Sequence, residues 1–364
     1  MCGIAGLINS KENRENGNRI KRAIMLQNER GNGLGAGFAV YGAYPEYRDQ
    51  YALHVMAKDS KGLKLVEEFL HRDFNIIHGQ DIPVWNFKIN DHPFFRIFFV
   101  DPPAPGEKGR EDRFTDDDYT LDRVMEVNAR VEGVFIYSSG KDIGVFKGVG
   151  TPGDIYDFFR LDEYSGHTWL AHNRFPTNTP GWWGGAHPFN LLSYSIVHNG
   201  EISSYGTNVR YLESFGYRCT MQTDSEVVAY LLDLLIRKHG LPVEDAATVL
   251  APPYWTSVEQ EEEGNKKEKL LALKLIYESA MLNGPFAVLA AFDRGMFTLT
   301  DNTKLRPMTV GQRGDYSYFA SEISALYEME EELEQVYTPR AGEPCIITFD
   351  QQDNQADPIK TAAH

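Results

Sequence analysis

The 364-residue sequence predicts an α+β fold, a layered mixed α/β sandwich with antiparallel strand pairing. Three observations carry that prediction. Strand-like runs fall in two groups with amphipathic helices between them. From Gly166 onward the pattern reads strand, turn, strand, which suits antiparallel neighbours. Residues 51–138 keep a β-α-β-β-α-β rhythm of their own, which fits a split-βαβ, ferredoxin-like subdomain inserted in the larger fold. The alternative is that some of these strands extend the main sheets.

The elements follow in order. Cys2-Ile8 is a short apolar run closed by Asn9-Ser10, and Ile20-Gln27 has helical spacing. The glycine-dense Arg30-Gly37 leads into a strand at Phe38-Tyr41. It precedes a strand rather than a helix and lacks the phosphate-binding patterns, so it reads as a turn or a close backbone approach. Within 51–138, Tyr51-Ala57, Phe74-Ile77, Phe94-Val100 and Gly133-Tyr137 read as strands, with helices near Leu63-Leu70 and Leu121-Arg130. Strands are then expected at Thr168-Arg174 and at Ser193-His198, the latter ending in the turn dipeptide Asn199-Gly200. Helices are expected at Val209-Ser214, Ser225-Lys238 and Lys266-Leu282. Phe286-Phe292 and Met296-Thr300 form a hairpin, followed by a strand at Tyr316-Ala320, a short helix at Glu322-Tyr327 and a strand at Pro344-Phe349. The final residues, 351–364, read as a polar tail.

Composition narrows the function classes. Thirty-six basic against 52 acidic residues give a net charge of -16, which disfavours nucleic acid and anionic membrane as partners. No run reaches the roughly 18–20 apolar residues of a membrane helix, and the N-terminus lacks a secretory pattern, so a cytoplasmic location is expected. Three cysteines (Cys2, Cys219, Cys345) are too few and too scattered for a zinc or iron–sulfur site.

Four polar elements stand at abrupt element ends: Cys2, the run His172-Asn173-Arg174-Phe175-Pro176-Thr177, the run His198-Asn199-Gly200-Glu201, and Thr223-Asp224-Ser225-Glu226. Each has a plain reading as well: an apolar strand residue, a surface ion-pair partner, a turn, a helix N-cap. Together they suit an amino acid substrate. Arginine grips a carboxylate through two parallel bonds, aspartate pairs with an ammonium, and an amide beside a glycine N–H can stabilise an oxyanion. A thiol supplies the attack, and removal of Met1 would free an α-amine at Cys2 with a pKa of about 7.7–8.0 to act as its base. Three histidines, His172, His187 and His198, lack the spacing of a metal site.

In these motifs, with Cys2-Gly3-Ile4, Ala186-His187-Pro188-Phe189, Leu305-Arg306-Pro307 and Ala320-Ser321-Glu322, the chain resembles the class II (N-terminal nucleophile) glutamine amidotransferases. It is most similar to the separate glutaminase subunit of archaeal-type glutamate synthase. The resemblance implies a four-layer αββα sandwich with two stacked, mainly antiparallel sheets. It also implies Cys2 as nucleophile, Asn199 and Gly200 as the oxyanion hole, Arg174 and Asp224 as anchors for L-glutamine, Thr177 in the pocket wall, and the Arg30-Gly31 region as a closing loop. Ammonia would pass to a partner synthase. FMN and iron–sulfur clusters are expected on the partner subunits and none in this chain, which has no room for a barrel of about 250 residues. Two other readings stay open: a non-catalytic glutamine-binding or regulatory subunit, and a free-standing amidohydrolase.

Overall fold

The computed structural model describes residues 1–85, 89–176 and 181–349. Thr177 and the 351–364 tail lie outside the described residues. The chain opens with β1 (Gly3–Asn9), the two-residue β2 (Glu15–Asn16), α1 (Asn18–Leu26) and β3 (Ala36–Tyr41). Next come β4 (Tyr51–Ala57), α2 (Ser60–Asp73), β5 (Asn75–Asp81), β6 (Phe94–Asp101), α3 (Asp116–Arg130) and β7 (Val134–Ser138). They are followed by β8 (Ile143–Gly148), α4 (Pro152–Phe158), the two-residue β9 (Ser165–Gly166) and β10 (Thr168–Asn173). β11 (Phe189–Leu191) and β12 (Tyr194–Gly200) lead into α5 (Tyr205–Ser214) and α6 (Asp224–Leu232), which a π-helical segment, Asp233–Lys238, prolongs. Helices α7 (Val243–Leu250), α8 (Trp255–Gln260) and α9 (Asn265–Ile276) precede the hairpin of β13 (Phe286–Phe292) and β14 (Gly295–Thr300). The described chain closes with β15 (Thr309–Arg313), β16 (Tyr316–Ala320), α10 (Ile323–Met329), β17 (Gln335–Tyr337) and β18 (Cys345–Thr348).

Two antiparallel sheets form the body. The larger has seven strands in the order β17-β15-β16-β1-β10-β3-β8, and the smaller has five, β11-β12-β13-β14-β18. β1 and β10 are buried along their whole length, because α1 covers one face of this sheet and β12 and β13 of the other sheet approach the opposite face. A strand covered on both faces reads as a continuous apolar run rather than an alternating one. The sheets approach closely enough that a Cβ on Gly6 of β1 would lie 2.5 Å from Leu289 Cδ2 of β13. α4 and α10 also pack on the large sheet, and α6 packs on β11 and β12.

The stretch from β4 to β7 forms a four-stranded antiparallel sheet in the order β5-β6-β4-β7. α2 packs on β4 and β5, and α3 packs on β7. Local chemistry starts both helices. Asp59 accepts the Gly62 N–H at 2.8 Å, and Thr115 Oγ1 accepts the Asp118 N–H at 3.1 Å ahead of three aspartates near the positive dipole end. Among the described residues no helix is long and apolar enough to cross a membrane.

Three expectations need correction. Asn199-Gly200 is not a turn: both residues lie in β12, opposite Ala287 and Phe286 of β13. Gly200 uses its positive φ of 147° to let another backbone pass, since a Cβ there would stand 2.0 Å from the Pro285 carbonyl oxygen. The helix expected over Ser225-Lys238 divides into an α-helix and a π-helical segment. The helix expected to reach Leu282 ends at Ile276, with a short 3-10 turn, Glu278–Ala280, beyond it. No pattern in the sequence marks strands β2, β8, β9, β11, β15 and β17 or helices α4, α7 and α8.

Candidate active site

Cys2 stands just before β1, so its position is set by the middle of the seven-stranded sheet. On one side β1 pairs with β10, Gly3 opposite Asn173; on the other it pairs with β16, Ala5 opposite Ala320. The Ile4 N–H donates to Ser321 Oγ at 3.2 Å, and the Ser321 N–H donates to the Ile4 carbonyl at 3.1 Å. Arg30 donates through Nε to the Cys2 carbonyl at 3.0 Å and pairs with Glu322 at 2.8 Å. The Phe175 N–H points at Cys2 Sγ, 3.3 Å away. Burial pushes the Cys2 thiol above its ordinary pKa, while the Phe175 N–H, the positive N-terminus, Arg174 and Arg30 pull it down.

Arg174 follows the last residue of β10 and is 5% exposed. Its N–H donates to the Gly35 carbonyl at 2.9 Å, which fixes the backbone where the strand ends. Burial lowers the pKa of its guanidinium, and the charges of Cys2 and Asp224 oppose that shift. One cation thus feels both the thiol and the carboxylate.

Asp224 is the first residue of α6, whose N-cap Thr223 accepts the Glu226 N–H at 3.1 Å. Asp224 Oδ2 accepts the Ile202 N–H at 3.0 Å. Beside it, the Ser225 hydroxyl lies 3.3 Å from Asp224 Oδ1, 2.7 Å from His187 Nε2 and 3.1 Å from His198 Nδ1. His172 Nε2 donates to the His198 carbonyl at 2.9 Å and its ring stacks on His187 at 3.9 Å. Burial holds all three histidines below the ordinary imidazole range, His172 at about 3.

Cys2, Arg174, Gly200 and Asp224 line one cavity of about 240 Å³, together with His187, His198 and Ser225. That is smaller than the roughly 300–1,000 Å³ typical of sites for drug-sized ligands and suits a molecule of amino-acid size. Asn199 is buried one residue behind Gly200 and is not in the lining; its Nδ2 has no hydrogen-bond partner among the described residues. A wider depression of about 800 Å³ beside α2, lined by Lys58, Leu65, Phe69 and Arg72 among others, has no cysteine, serine or threonine in its lining. Among the described residues no group of three or more His, Cys, Asp or Glu is placed to hold a metal ion.

Sequence reasoning quotes Ser225 and Glu201 inside motifs without giving either a role, and passes over Tyr205 and Gln222 in the lining and Lys147 outside it. Lys147 is fully buried in β8; its Nζ donates to the Gly184 carbonyl at 3.0 Å and sits 4.3 Å from the Phe189 ring centre. Burial draws its pKa down to about 7 and pushes that of the buried Glu226 up to about 7. A lysine inside the apolar run Ile143-Gly148 was the signal available.

Residues 83–355 match the family model described as glutamine amidotransferases class-II. The chain belongs to this family. The matched span contains Arg174, Asn199, Gly200 and Asp224 and leaves Cys2 outside it. Among relatives of this class II amidotransferase chain, an Archaeoglobus fulgidus protein, described as uncharacterized, is 49% identical over 350 residues, 95% of this chain and 91% of the relative. An amidophosphoribosyltransferase of Methanocaldococcus jannaschii is 25% identical over 54% of this chain, which spans 36% of that protein. The glutamine phosphoribosylpyrophosphate amidotransferase of B. subtilis aligns in structure over 96% of this chain and 50% of its own, with 14% identity and a TM-score of 0.44.

Proposed function

We propose that this amidotransferase chain hydrolyses the side-chain amide of L-glutamine through a thioester on Cys2 and that the ammonia passes to a partner synthase. The observation that carries the reading is the lining of one cavity by Cys2, Arg174 and Asp224. A buried cation and an anion lining the same cavity suit the two opposite charges of a free amino acid head group. On this reading Arg174 holds the α-carboxylate, Asp224 holds the α-ammonium, and the amide carbon lies beside Cys2 Sγ. Asn199 Nδ2 and the Gly200 N–H serve the oxyanion. A buried donor with no partner in the described protein is costly, and a developing negative charge would offset that cost, which supports the assignment. Thr177 joins the pocket wall on the resemblance alone.

The cycle needs Met1 removed, so that the Cys2 α-amine is free. That amine takes the thiol proton and the thiolate attacks the amide carbon. The tetrahedral oxyanion collapses, the C–N bond breaks, and the proton passes to the leaving nitrogen as ammonia departs. Water, relieved of a proton by the same amine, then attacks the thioester; the C–S bond breaks, and glutamate and the free thiol result.

The partner proposed is an FMN-dependent glutamate synthase, with FMN and iron–sulfur clusters on its own subunits; the motif resemblance to the separate archaeal-type subunit supports it. The same reading includes a cytoplasmic location, a four-layer αββα sandwich and an inserted ferredoxin-like subdomain over 51–138. The antiparallel order β5-β6-β4-β7 supports the last of these. N-terminal mass spectrometry should find mature protein beginning at Cys2, and ammonia release from glutamine should vanish in Cys2→Ala. Release that survives this substitution would overturn the mechanism. Co-purification from the source organism, followed by flavin absorbance, tests the partner; a colourless lone chain with full activity would reject it.

A further inference from the structure

The histidine cluster at the cavity, of which His187 and His198 line the wall, has a hydrogen-bonding logic that the proposed cycle leaves unused. The Ser225 hydroxyl has one proton to give and two lone pairs. Its contacts are a carboxylate oxygen, Asp224 Oδ1, and two ring nitrogens, His187 Nε2 and His198 Nδ1. A carboxylate only accepts. All three contacts can be hydrogen bonds at once only if Ser225 donates to Asp224 and both histidines donate to Ser225.

That arrangement sets the tautomers. His187 carries its proton on Nε2 and His198 on Nδ1. His172 carries its proton on Nε2, since the His198 carbonyl can only accept. The remaining nitrogens, His172 Nδ1, His187 Nδ1 and His198 Nε2, are the ones with no partner among the described residues. Each imidazole therefore uses its single proton in a bond. A second proton would create a buried N–H with no acceptor among those residues, so neutral rings are favoured, in keeping with the effect of burial on all three.

We infer that Ser225 is a positioning residue, clamped by His187 and His198 so that its hydroxyl fixes the Asp224 carboxylate for an α-ammonium group. The inference rests on the reading of Asp224 as the ammonium anchor. The Ile202 N–H holds Oδ2 and Ser225 holds Oδ1, so each oxygen has a donor from the protein. The clamp also links the elements that build the site. His172 on β10 reaches the backbone of β12, while His198 on β12 and His187, two residues before β11, meet at α6.

The test is Ser225→Ala with Ser225→Thr, which keeps the hydroxyl. For glutamine the loss in Ser225→Ala should fall on KM, roughly tenfold, more than on kcat. The Kd for L-glutamate should rise by a similar factor, while that for glutarate, which has no amino group, stays within about twofold. Ser225→Thr should restore most of the preference. An equal loss for L-glutamate and glutarate, or a Thr variant no better than Ala, would overturn the inference. Asp224→Asn separates the two levels: if it leaves the preference for L-glutamate intact, the anchor reading itself fails. Independently of activity, ring ¹⁵N spectra of the wild-type chain should show neutral His187 as the Nε2–H form and His198 as the Nδ1–H form at pH 7. The opposite tautomer at either residue would contradict the clamp.

Discussion

At the scale of single residues, the site depends on which group each charge faces. Arg174 is nearly buried and feels both Cys2 and Asp224. A lysine there keeps the charge but not the planar fork, so Arg174→Lys should raise the KM for glutamine on the order of tenfold or more. Steady-state kinetics checks this, and an unchanged KM would place the carboxylate elsewhere. Arg174 and Asp224 were legible as candidates for the cavity lining because each stands where an apolar pattern stops, one after a strand and one at a helix start. Ser225 was not, because a serine in the first turn of a helix reads as part of a cap. Its partners His187 and His198 are 38 and 27 residues away in sequence, and only the fold brings them to one hydroxyl.

At the scale of elements, α6 joins the site to its periphery. Its first residue is Asp224, and its π-helical continuation carries Asp233 and Arg237. Arg237 grips the fully buried Asp233 through Nε at 2.6 Å and Nη2 at 2.8 Å, and reaches Asp118 of α3 with Nη1 at 2.8 Å. Arg237→Ala would leave a buried carboxylate without its cation, and the expected cost is about 3–5 kcal/mol, read from chemical denaturation. A change below about 1 kcal/mol would show that Tyr217, which also donates to Asp233, suffices. The helix itself was legible from its apolar density, but the change to π geometry has no local signature. Asn199-Gly200 misled for a similar reason. The pair usually reverses a chain, whereas here glycine is required because the Pro285 carbonyl passes where a side chain would be. β8 escaped notice because Gly144, Lys147 and Gly148 interrupt its apolar pattern, and the lysine finds its acceptor 37 residues downstream.

At the scale of the whole molecule, buried neutral histidines tie stability to pH. His54 donates through Nδ1 to the Val145 carbonyl at 2.9 Å and accepts from the Tyr44 hydroxyl at 2.8 Å, joining β4 to β8. Burial lowers its pKa to about 4, and that of His172 to about 3. Below about pH 6.5 the unfolded chain protonates these rings while the folded chain does not. The unfolded state then binds more protons, so stability falls as the pH drops from about 6.5 toward about 4, by up to about 1.4 kcal/mol per unit for each ring. Thermal melts at pH 6.5 and 5 should show a clear fall in Tm, and equal values would contradict the neutral assignment. The two groups of strands were visible in the sequence, whereas their order was not. β1 lies between β10 and β16, and no local pattern reports a neighbour on the far side of the chain.

That central place of β1 bears on how the molecule is made. Ser321, which fixes the backbone at Ile4, is 317 residues further on than Ile4. β1 must wait, unpaired on that edge, until β16 has been made, and such distant pairings form slowly. A nascent or truncated chain carries the thiol but not the scaffold that aims it. Cys2 therefore reaches its final setting only after both neighbours of β1, β10 and β16, have been made.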